Sequence, residues 1–295
     1  MSNTYFTWDK FVENFGREMR IAGEIFESMA GKGLKDSCLC CFDFTFVSNR
    51  RENLERLKEF LQSHYPYSIT GIKPNGSEWD LDGKTAEIPV TANNLKYWAL
   101  DMSKRGYEFD AELDAYGALF DPADQKLPDT DAAQKESLFD RGVQQYNQGN
   151  LSGALMTWSE VIALNPKNEN AYYSRAIVKN ELHTWKDAMR DYDAALEISP
   201  TFVSALLNRG SVRDDNGDYA GAIEDYDKAV SFSDDNDVTK TRAYFNRGNT
   251  KLNLKDKIGA CADWNIALQR GDQDAQARID KHCKKTGVLS LFRRW

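Results

Sequence analysis

The sequence lacks the marks of a membrane or secreted protein. No apolar run approaches the roughly 20 residues that a helix needs to span a bilayer. The first residues, Met1 to Tyr5, carry neither the basic nor the apolar part of a signal peptide. We therefore predict a cytoplasmic protein that does not contact a membrane.

Cysteine is scarce, and its spacing does not form a disulfide framework. The chain has an odd number of cysteines, five, at positions Cys38, Cys40, Cys41, Cys261 and Cys283. We expect all of them to be reduced thiols. The first three could suggest a metal site, but alternation along a strand would send Cys40 and Cys41 to opposite faces. Small apolar residues of a strand are the favoured interpretation.

The sequence also lacks the usual signs of an enzyme. Its three histidines, His64, His183 and His282, fall in different predicted elements, without convergent partners for acid–base or metal chemistry. It contains no glycine loop that would cradle a phosphate and no nucleophile motif. We therefore predict a protein with no catalytic residues, cofactor or metal, which acts by binding. An enzyme would need convergent ionisable residues that the sequence does not display.

An excess of basic charge occurs only at the C-terminal end. The net charge of the chain is -8, whereas the last eighteen residues hold six basic side chains and one acidic side chain. The body is therefore acidic, and an acidic surface repels the phosphate backbone of nucleic acids. We expect no direct binding to nucleic acid and predict a protein partner, such as a basic protein segment.

What the sequence does contain is one pattern repeated four times at a spacing of about 34 residues. Each copy has a small residue followed four positions later by an aromatic residue, which places both on one face of a helix. These pairs are Ala154 and Trp158, Ala188 and Tyr192, Ala222 and Tyr226, and Ala260 and Trp264. The fourth copy begins 38 residues after the third, so we expect a longer loop at 234–237.

A second signature lies upstream in each copy. It consists of an arginine followed by glycine or alanine, in Arg141-Gly142, Arg175-Ala176, Arg209-Gly210 and Arg247-Gly248, and prolines close the first two copies. These residues resemble the tetratricopeptide repeat (TPR), in which a small residue lets two helices cross closely and an aromatic residue fills the gap. The resemblance covers about residues 134–278 and implies an all-α solenoid of four helix pairs. We expect residues 278–285 to supply its polar capping helix.

In tetratricopeptide folds the first helices of the pairs line a groove for a peptide. The resemblance places eight candidate partner-binding residues there: Tyr146, Tyr173, Asn180, Leu207, Ser211, Asp214, Phe245 and Asn249. Tyr173, Leu207 and Phe245 stand where a carboxylate clamp for chaperone tails would need lysine, which counts against a chaperone adaptor. The alternative is a groove that holds the N-terminal domain or the chain's own tail.

The repeated arginines have two interpretations. They could face a ligand, but Asp191, Asp225 and Asp263 recur with the same period, so a ladder of internal ion pairs is favoured. The first copy has Thr157 in place of the aspartate, which would leave Arg141 free.

The N-terminal half alternates between helical and strand periodicities. Apolar spacing predicts helices over 8–29, 51–64 and 91–106. Alternating or β-rich stretches predict strands over 38–47, 67–72, 78–90 and 107–120, the third as a strand or a hairpin. After the leading helix the order is βαββαβ, which predicts an α+β sandwich of the ferredoxin-like kind.

The last predicted strand carries acidic residues before Asp114-Ala115-Tyr116-Gly117. This stretch resembles the end of the ribonuclease E activity regulator B (RraB) family, and the resemblance covers about residues 36–121. It implies a small domain that binds an endoribonuclease and restrains it without chemistry of its own. Asp110, Glu112 and Asp114 alternate along the strand, and we predict that they and Tyr116 form a partner-binding surface. A solvated face is the alternative.

The change in composition at 126–134 predicts a linker between an RraB-like domain, 1–125, and a tetratricopeptide domain, 135–295. The residues after Gly287 are too apolar for a free end, so we expect Phe292 or Trp295 to be buried. The chain's own groove is favoured over a partner's pocket.

Together these features predict a non-enzymatic adaptor or inhibitor, and regulation of a ribonuclease is its most specific version. One alternative is an immunity-type protein that neutralises a toxin or nuclease by binding. The other is a general tetratricopeptide scaffold.

Overall fold

In the computed structural model, the described residues are 3–35, 37–118, 120–123, 125–126, 135–234 and 237–283, the side chains of 135–137 excepted. Contacts divide the chain into two compact units, Met1–Pro166 with Glu181–His183, and Lys167–Asn180 with Thr184–Trp295. This division falls after the first helix pair rather than within the linker expected at 126–134, and the domain boundaries drawn from the sequence stay a prediction.

Three helices of the N-terminal region follow the apolar spacing of the sequence. They are α1 (Trp8–Gly31), α2 (Arg51–His64) and α3 (Ala92–Glu108). Thr91 caps the N-terminus of α3, because its Oγ1 accepts a hydrogen bond from the backbone N–H of Asn94 at 3.0 Å. The predicted bounds of α2 agree with the structure, and α3 runs two residues past the predicted end at Gly106.

The strands of this region form two sheets. A four-stranded antiparallel sheet has the order β3-β4-β2-β6, and a two-stranded sheet pairs β1 with β5. The strands are β1 (Cys38–Cys40), β2 (Asp43–Ser48), β3 (Ser68–Asn75), β4 (Glu78–Lys84), β5 (Ile88–Val90) and β6 (Glu112–Gly117). The region is thus a small two-sheet α+β structure.

Three predicted strands differ from the structure. The stretch 38–47 is divided between the two sheets, because Phe42 is fully buried and its N–H bonds to Thr85 Oγ1 at 2.9 Å instead of continuing a ladder. The stretch 78–90 divides in the same way into β4 and β5. The last strand is shorter than 107–120, since α3 continues to Glu108 and Asp110 has a positive φ of 55°.

One hydrophobic core joins this sheet to its helices. Phe44 and Phe46 of β2 are buried, and so are the apolar residues that α2 and α3 turn toward them, among them Leu57 and Trp98. Met156, which follows the N-terminal region by more than thirty residues, belongs to the same core. The first unit therefore combines the N-terminal region with the first helix pair.

Four consecutive helix pairs follow, as the repeat predicts. They are α4 (Lys135–Asn147) with α5 (Leu151–Leu164), α6 (Glu169–Glu181) with α7 (Trp185–Ile198), α8 (Val203–Asp215) with α9 (Tyr219–Phe232), and α10 (Val238–Asn253) with α11 (Lys257–Gln269). The small residues allow each pair to cross closely: a Cβ on Gly210 would lie 2.7 Å from the ring of Tyr226, and one on Gly248 would lie 2.7 Å from Trp264. The three later pairs, α6 to α11, form a tetratricopeptide-like solenoid fold in the second unit.

The chain ends, in its described part, with helix α12 (Asp274–His282). This helix begins before the predicted 278–285, and Ala275 and Ile279 form its buried side. It also overturns the expectation that all cysteines are reduced, because Cys261 and Cys283 form a disulfide. The two are 22 positions apart in sequence, but α12 folds back on α11 and brings their Cα atoms within 5.9 Å. Phe292 and Trp295, for which docking was predicted, lie outside the described residues.

Candidate partner-binding surfaces

The second unit contains the predicted ladder of internal ion pairs. Arg175 donates to Asp191, Arg209 to Asp225 and Arg247 to Asp263, with nitrogen–oxygen distances of 2.6 to 2.9 Å. In each case the aspartate lies 16 residues after the arginine. Both guanidinium nitrogens of each contact bond to the carboxylate, so the pairs are bidentate. The prediction is confirmed for these three helix pairs.

A second cation completes each rung of the ladder. Lys179, Arg213 and Lys251 contact the same three aspartates at 2.7, 2.9 and 2.8 Å. The three carboxylates are nearly or fully buried, so each is neutralised from two sides. The pKa of Lys179 is lowered, because burial and the nearby charge of Arg175 outweigh the opposite effect of Asp191. At Arg247 the acidic neighbours outweigh burial. Burial favours the neutral form, but Asp263 and Asp227 raise the pKa of Arg247 above its usual value.

The first helix pair replaces the rung with a neutral contact. Thr157 stands in the place of the aspartate and donates from Oγ1 to Gln145 Oε1 at 2.7 Å. Arg141, predicted to be free, forms an exposed ion pair with Glu160 at 3.3 Å. The prediction was right that Arg141 leaves the ladder and wrong that it has no partner.

The groove residues predicted in α6, α8 and α10 differ in how far they are exposed to solvent. Leu207 is buried in the core of the second unit, so a partner does not reach it in this conformation. Ser211 and Phe245 are half-buried and Asn180 is exposed. Their assignment to partner binding stays a prediction.

Other groove residues differ in whether their polar groups are hydrogen-bonded. The hydroxyl of Tyr173 accepts from Asn208 Nδ2 at 3.1 Å, and Asn249 Oδ1 accepts from Trp264 Nε1 at 3.2 Å. Asp214 differs, because its buried Oδ1 has no hydrogen-bond partner among the described residues. In the first unit, the hydroxyl of Tyr146 donates to Glu181 at 2.7 Å. Asp214 therefore differs from Tyr173 and Asn249, whose polar groups are hydrogen-bonded.

Asp110 was predicted to lie in the last strand, but the structure places it outside. It precedes β6, and its carboxylate accepts from the backbone N–H groups of Thr4, Tyr5 and Phe6 at 2.8 to 3.1 Å. Partial burial opposes ionisation, but these donors outweigh it and lower the pKa of Asp110 below its usual value. Its observed role is to fix the N-terminal segment.

The neighbouring strand residues also have contacts within the first unit. Glu112 accepts from Asn14 at 2.8 Å and from Arg17 at 3.2 Å, and the hydroxyl of Tyr116 donates to the backbone carbonyl of Glu18 at 3.2 Å. Asp114 is exposed. The alternation predicted for Asp110, Glu112 and Asp114 is interrupted, because the register of β6 against β2 shifts between Thr45 and Phe46.

A buried polar network that sequence reasoning missed fastens the first helix pair to the N-terminal region. Asp101 is fully buried and accepts from Tyr65 Oη at 2.9 Å, from Arg105 Nε at 3.2 Å and from Ser152 N at 2.9 Å. Arg105 also donates to the carbonyl of Gly149 at 2.9 Å. The helical spacing of Asp101 and Arg105 signals their pairing, but no sequence pattern signals the partners near Gly149.

Within the described ranges, no group of three or more histidine, cysteine, aspartate or glutamate side chains could hold a metal ion. The same part of the chain has no helix with the length and apolarity needed to cross a membrane.

Comparison with known proteins places the repeat in the third helix pair. Residues 203–236 match the family described as Tetratricopeptide repeat, and no curated protein matches the sequence. Among solved structures, MamA is 21% identical with a TM-score of 0.45, covering 50% of this chain and 83% of that chain. Pseudomonas aeruginosa pilF is 18% identical with a TM-score of 0.46, covering 55% and 76%. The TPR domain of Arabidopsis OM64 is 25% identical with a TM-score of 0.38, covering 41% and 96%. Residues 203–236 are thus the part of this chain that matches the tetratricopeptide repeat family.

Proposed function

We propose that this chain is a non-catalytic protein-interaction protein whose helix pairs bind a protein or peptide partner. The tetratricopeptide repeat at 203–236 carries this proposal, because such repeats generally serve as protein-binding scaffolds. The ion-pair ladder supports it, since buried rungs at Asp191, Asp225 and Asp263 fix the helices that would present the groove.

The proposed partner segment is basic. Asp214 is half-buried and Asp215 beside it is exposed, and the pKa of Asp215 is raised, first by burial and then by Asp214. A lysine or arginine side chain next to these two carboxylates would offset their repulsion, because it supplies opposite charge. The net charge of -8 favours the same partner through electrostatic steering.

The finer form of the proposal assigns the N-terminal region to the ferredoxin-like, RraB-type class and gives it a ribonuclease as partner. The strand order β3-β4-β2-β6, with helices between β2 and β3 and between β4 and β6, supports this class. Asp43 and Asp114 add exposed acidic groups to the sheet. The measurement is RNA cleavage by a purified endoribonuclease with and without the chain; unchanged cleavage would remove this finer form only.

The proposed location is the cytoplasm. The disulfide between Cys261 and Cys283 opposes it, because cytosolic reductants keep most thiols reduced. Alkylation of intact cells, followed by mass spectrometry of the peptides that carry these cysteines, decides the matter. Alkylated Cys261 and Cys283 support the location, and protected ones contradict it.

Affinity capture with the tagged full chain, followed by mass spectrometry, tests the main proposal. We expect a basic partner that is retained at low salt and released at high salt. Asp214→Lys should abolish capture, whereas Glu224→Lys changes the charge equally at an exposed position of α9 and should leave it intact. A partner captured equally by both variants, or no specific partner, contradicts the proposal.

A further inference from the structure

A cleft of about 190 Å³ lies within the first unit, between the N-terminal region and the first helix pair. Its apolar side is formed mainly by Tyr67, Pro89, Trp98 and Met156. The hydroxyl of Tyr67 accepts from Trp98 Nε1 at 3.0 Å. Because this polar group of the wall is already bonded, the wall presents ring and thioether surface to an occupant.

The opposite side of the cleft is polar. It holds two carboxylates that are already paired, Glu87 with Lys126 at 2.7 Å and Glu160 with Arg141 at 3.3 Å, and two amides. Gln145 uses its amide oxygen to accept from Thr157, and Asn150 uses its amide oxygen to accept from Gly153 N at 2.8 Å. The NH₂ groups of both amides have no acceptor among the described residues, and both residues line the cleft. A bound group that accepts hydrogen bonds would fit this side.

Arg141 adds a positive charge to the polar side. Its equivalents Arg209 and Arg247 are only 13% and 15% exposed and each is held bidentately by a buried aspartate, whereas Arg141 is 50% exposed. Among the described residues its ion-pair partner is Glu160 at 3.3 Å, and the contact uses a single guanidinium nitrogen. Such exposed single contacts are weak, and a bidentate carboxylate is a stronger partner for the fork of an arginine.

The size of the cleft limits its occupant. Sites for drug-sized molecules measure roughly 300 to 1,000 Å³, so a smaller cleft suits one large side chain of a protein segment. The apolar wall with Tyr67 and Trp98 favours an aromatic ring, since offset and edge-to-face contacts between rings are favourable. Arg141 and the two amides favour a carboxylate next to that ring.

We propose that this cleft binds a partner segment in which an aromatic side chain stands beside an acidic residue. The ring packs against Tyr67, Pro89 and Met156, and the carboxylate displaces Glu160 from Arg141. The inference rests on the proposed function in protein binding, and it adds a second site that differs in place and in charge preference from the groove at Asp214. The neutral rung at Thr157 is what makes Arg141 available for it.

Fluorescence anisotropy with the full chain and a labelled hexapeptide, Gly-Ser-Phe-Asp-Ser-Gly, tests the proposal. Two control peptides carry alanine in place of phenylalanine and asparagine in place of aspartate. We expect the affinity of each control peptide to be lower than that of the probe by a factor of about ten or more. A probe that does not bind at millimolar concentration, or that binds no better than the controls, overturns the proposal.

Thr157→Asp is the decisive variant, because it restores the aspartate of the other rungs and should draw Arg141 out of the cleft. It should lower the affinity for the probe about tenfold or more. Thr157→Asn, a neutral variant of the same shape as the aspartate, should retain binding. Arg141→Gln, at a half-exposed position, should lose binding without loss of thermal stability. Unchanged affinity in both Thr157→Asp and Arg141→Gln overturns the proposal. This inference can fail while the proposed function stands. That is the case if the peptide does not bind but the basic partner is still captured through Asp214.

Discussion

The first helix pair and the later pairs use equivalent positions in different ways. In the later pairs a buried aspartate is held by two cations, as Asp225 is held by Arg209 and Arg213. In the first pair the corresponding groups are Gln145 and Thr157, and the contact is neutral. The comparison teaches that the helix crossing itself depends on small and aromatic residues, while the polar positions beside it are open to other tasks.

The two arrangements also have different energetic risks. A buried carboxylate with two cations is stable only while every member is present, because the loss of one partner leaves an uncompensated charge in a place without water. The neutral pair loses little more than one hydrogen bond when it is broken. Next to the first helix pair the buried charges belong instead to Asp101 and Arg105 of α3, which bond to Ser152 and Gly149 respectively.

The largest expected effect concerns the division of the chain. A fragment of residues 1–166 should unfold cooperatively, whereas a fragment of residues 1–126 lacks Met156 and the bonds from Ser152 and Gly149 to the buried network. We expect the shorter fragment to lose cooperative unfolding or most of its stability in urea. Equal midpoints for the two fragments would support the predicted boundary near residue 126.

Substitution of the buried aspartate should distinguish the two kinds of helix pair. Asp225→Asn removes the charge that neutralises Arg209 and Arg213, and should lower the free energy of unfolding by about 3 to 5 kcal/mol. Thr157→Val, the matched change in the first pair, should cost about 1 kcal/mol. Urea denaturation of the full chain measures both. Equal costs would mean that the ladder does not set the later pairs apart.

Removal of the disulfide should have an intermediate effect. The crosslink between Cys261 and Cys283 closes a loop across α11 and α12, so Cys261→Ser with Cys283→Ser should lower stability by about 3 kcal/mol on the chain-entropy estimate. A dithiol reductant should lower the melting temperature of the unmodified chain but not that of the double variant. A reductant that lowers both melting temperatures equally would show that it acts elsewhere.

The smallest expected effect is a pH dependence at the N-terminal segment. The pKa of Asp110 is lowered in the folded chain from its ordinary 3.8. Its contribution is therefore fully present above that ordinary value and is lost as the pH falls through the lower folded value. In Asp110→Asn this acid-dependent loss should disappear from the exchange rates of the amides of Tyr5 and Phe6. An identical acid profile in both proteins contradicts the assignment.

The sequence predicts well what depends on local spacing. The bounds of α2 and the rungs from Arg175 to Asp191 follow from periods that are visible in one chain. The division of the strand at Phe42 was not predictable, because it depends on which sheet the flanking strands join. The role of Asp110 was missed for a similar reason, since its donors, Thr4 to Phe6, lie more than a hundred positions away.

The candidate site shows the same limit. Spacing predicted that Thr157 would break the ladder, but it did not predict that the polar groups near it would line a cleft with Tyr67 and Trp98. The disulfide was missed because 22 positions of sequence do not show that α12 returns to α11. In each case the missing information is a contact between elements that are distant in the chain.

Native-state hydrogen exchange tests the central claim, that the first helix pair belongs to the N-terminal region, most directly. Amides of α5 should open with the same free energy as amides of β2 and α3, and Asp101→Asn should lower the protection of all three together. The protection of α9 should not change in that variant. If α5 instead exchanges with α9 and is unaffected by Asp101→Asn, the first helix pair is an ordinary member of the repeat array and the account is wrong.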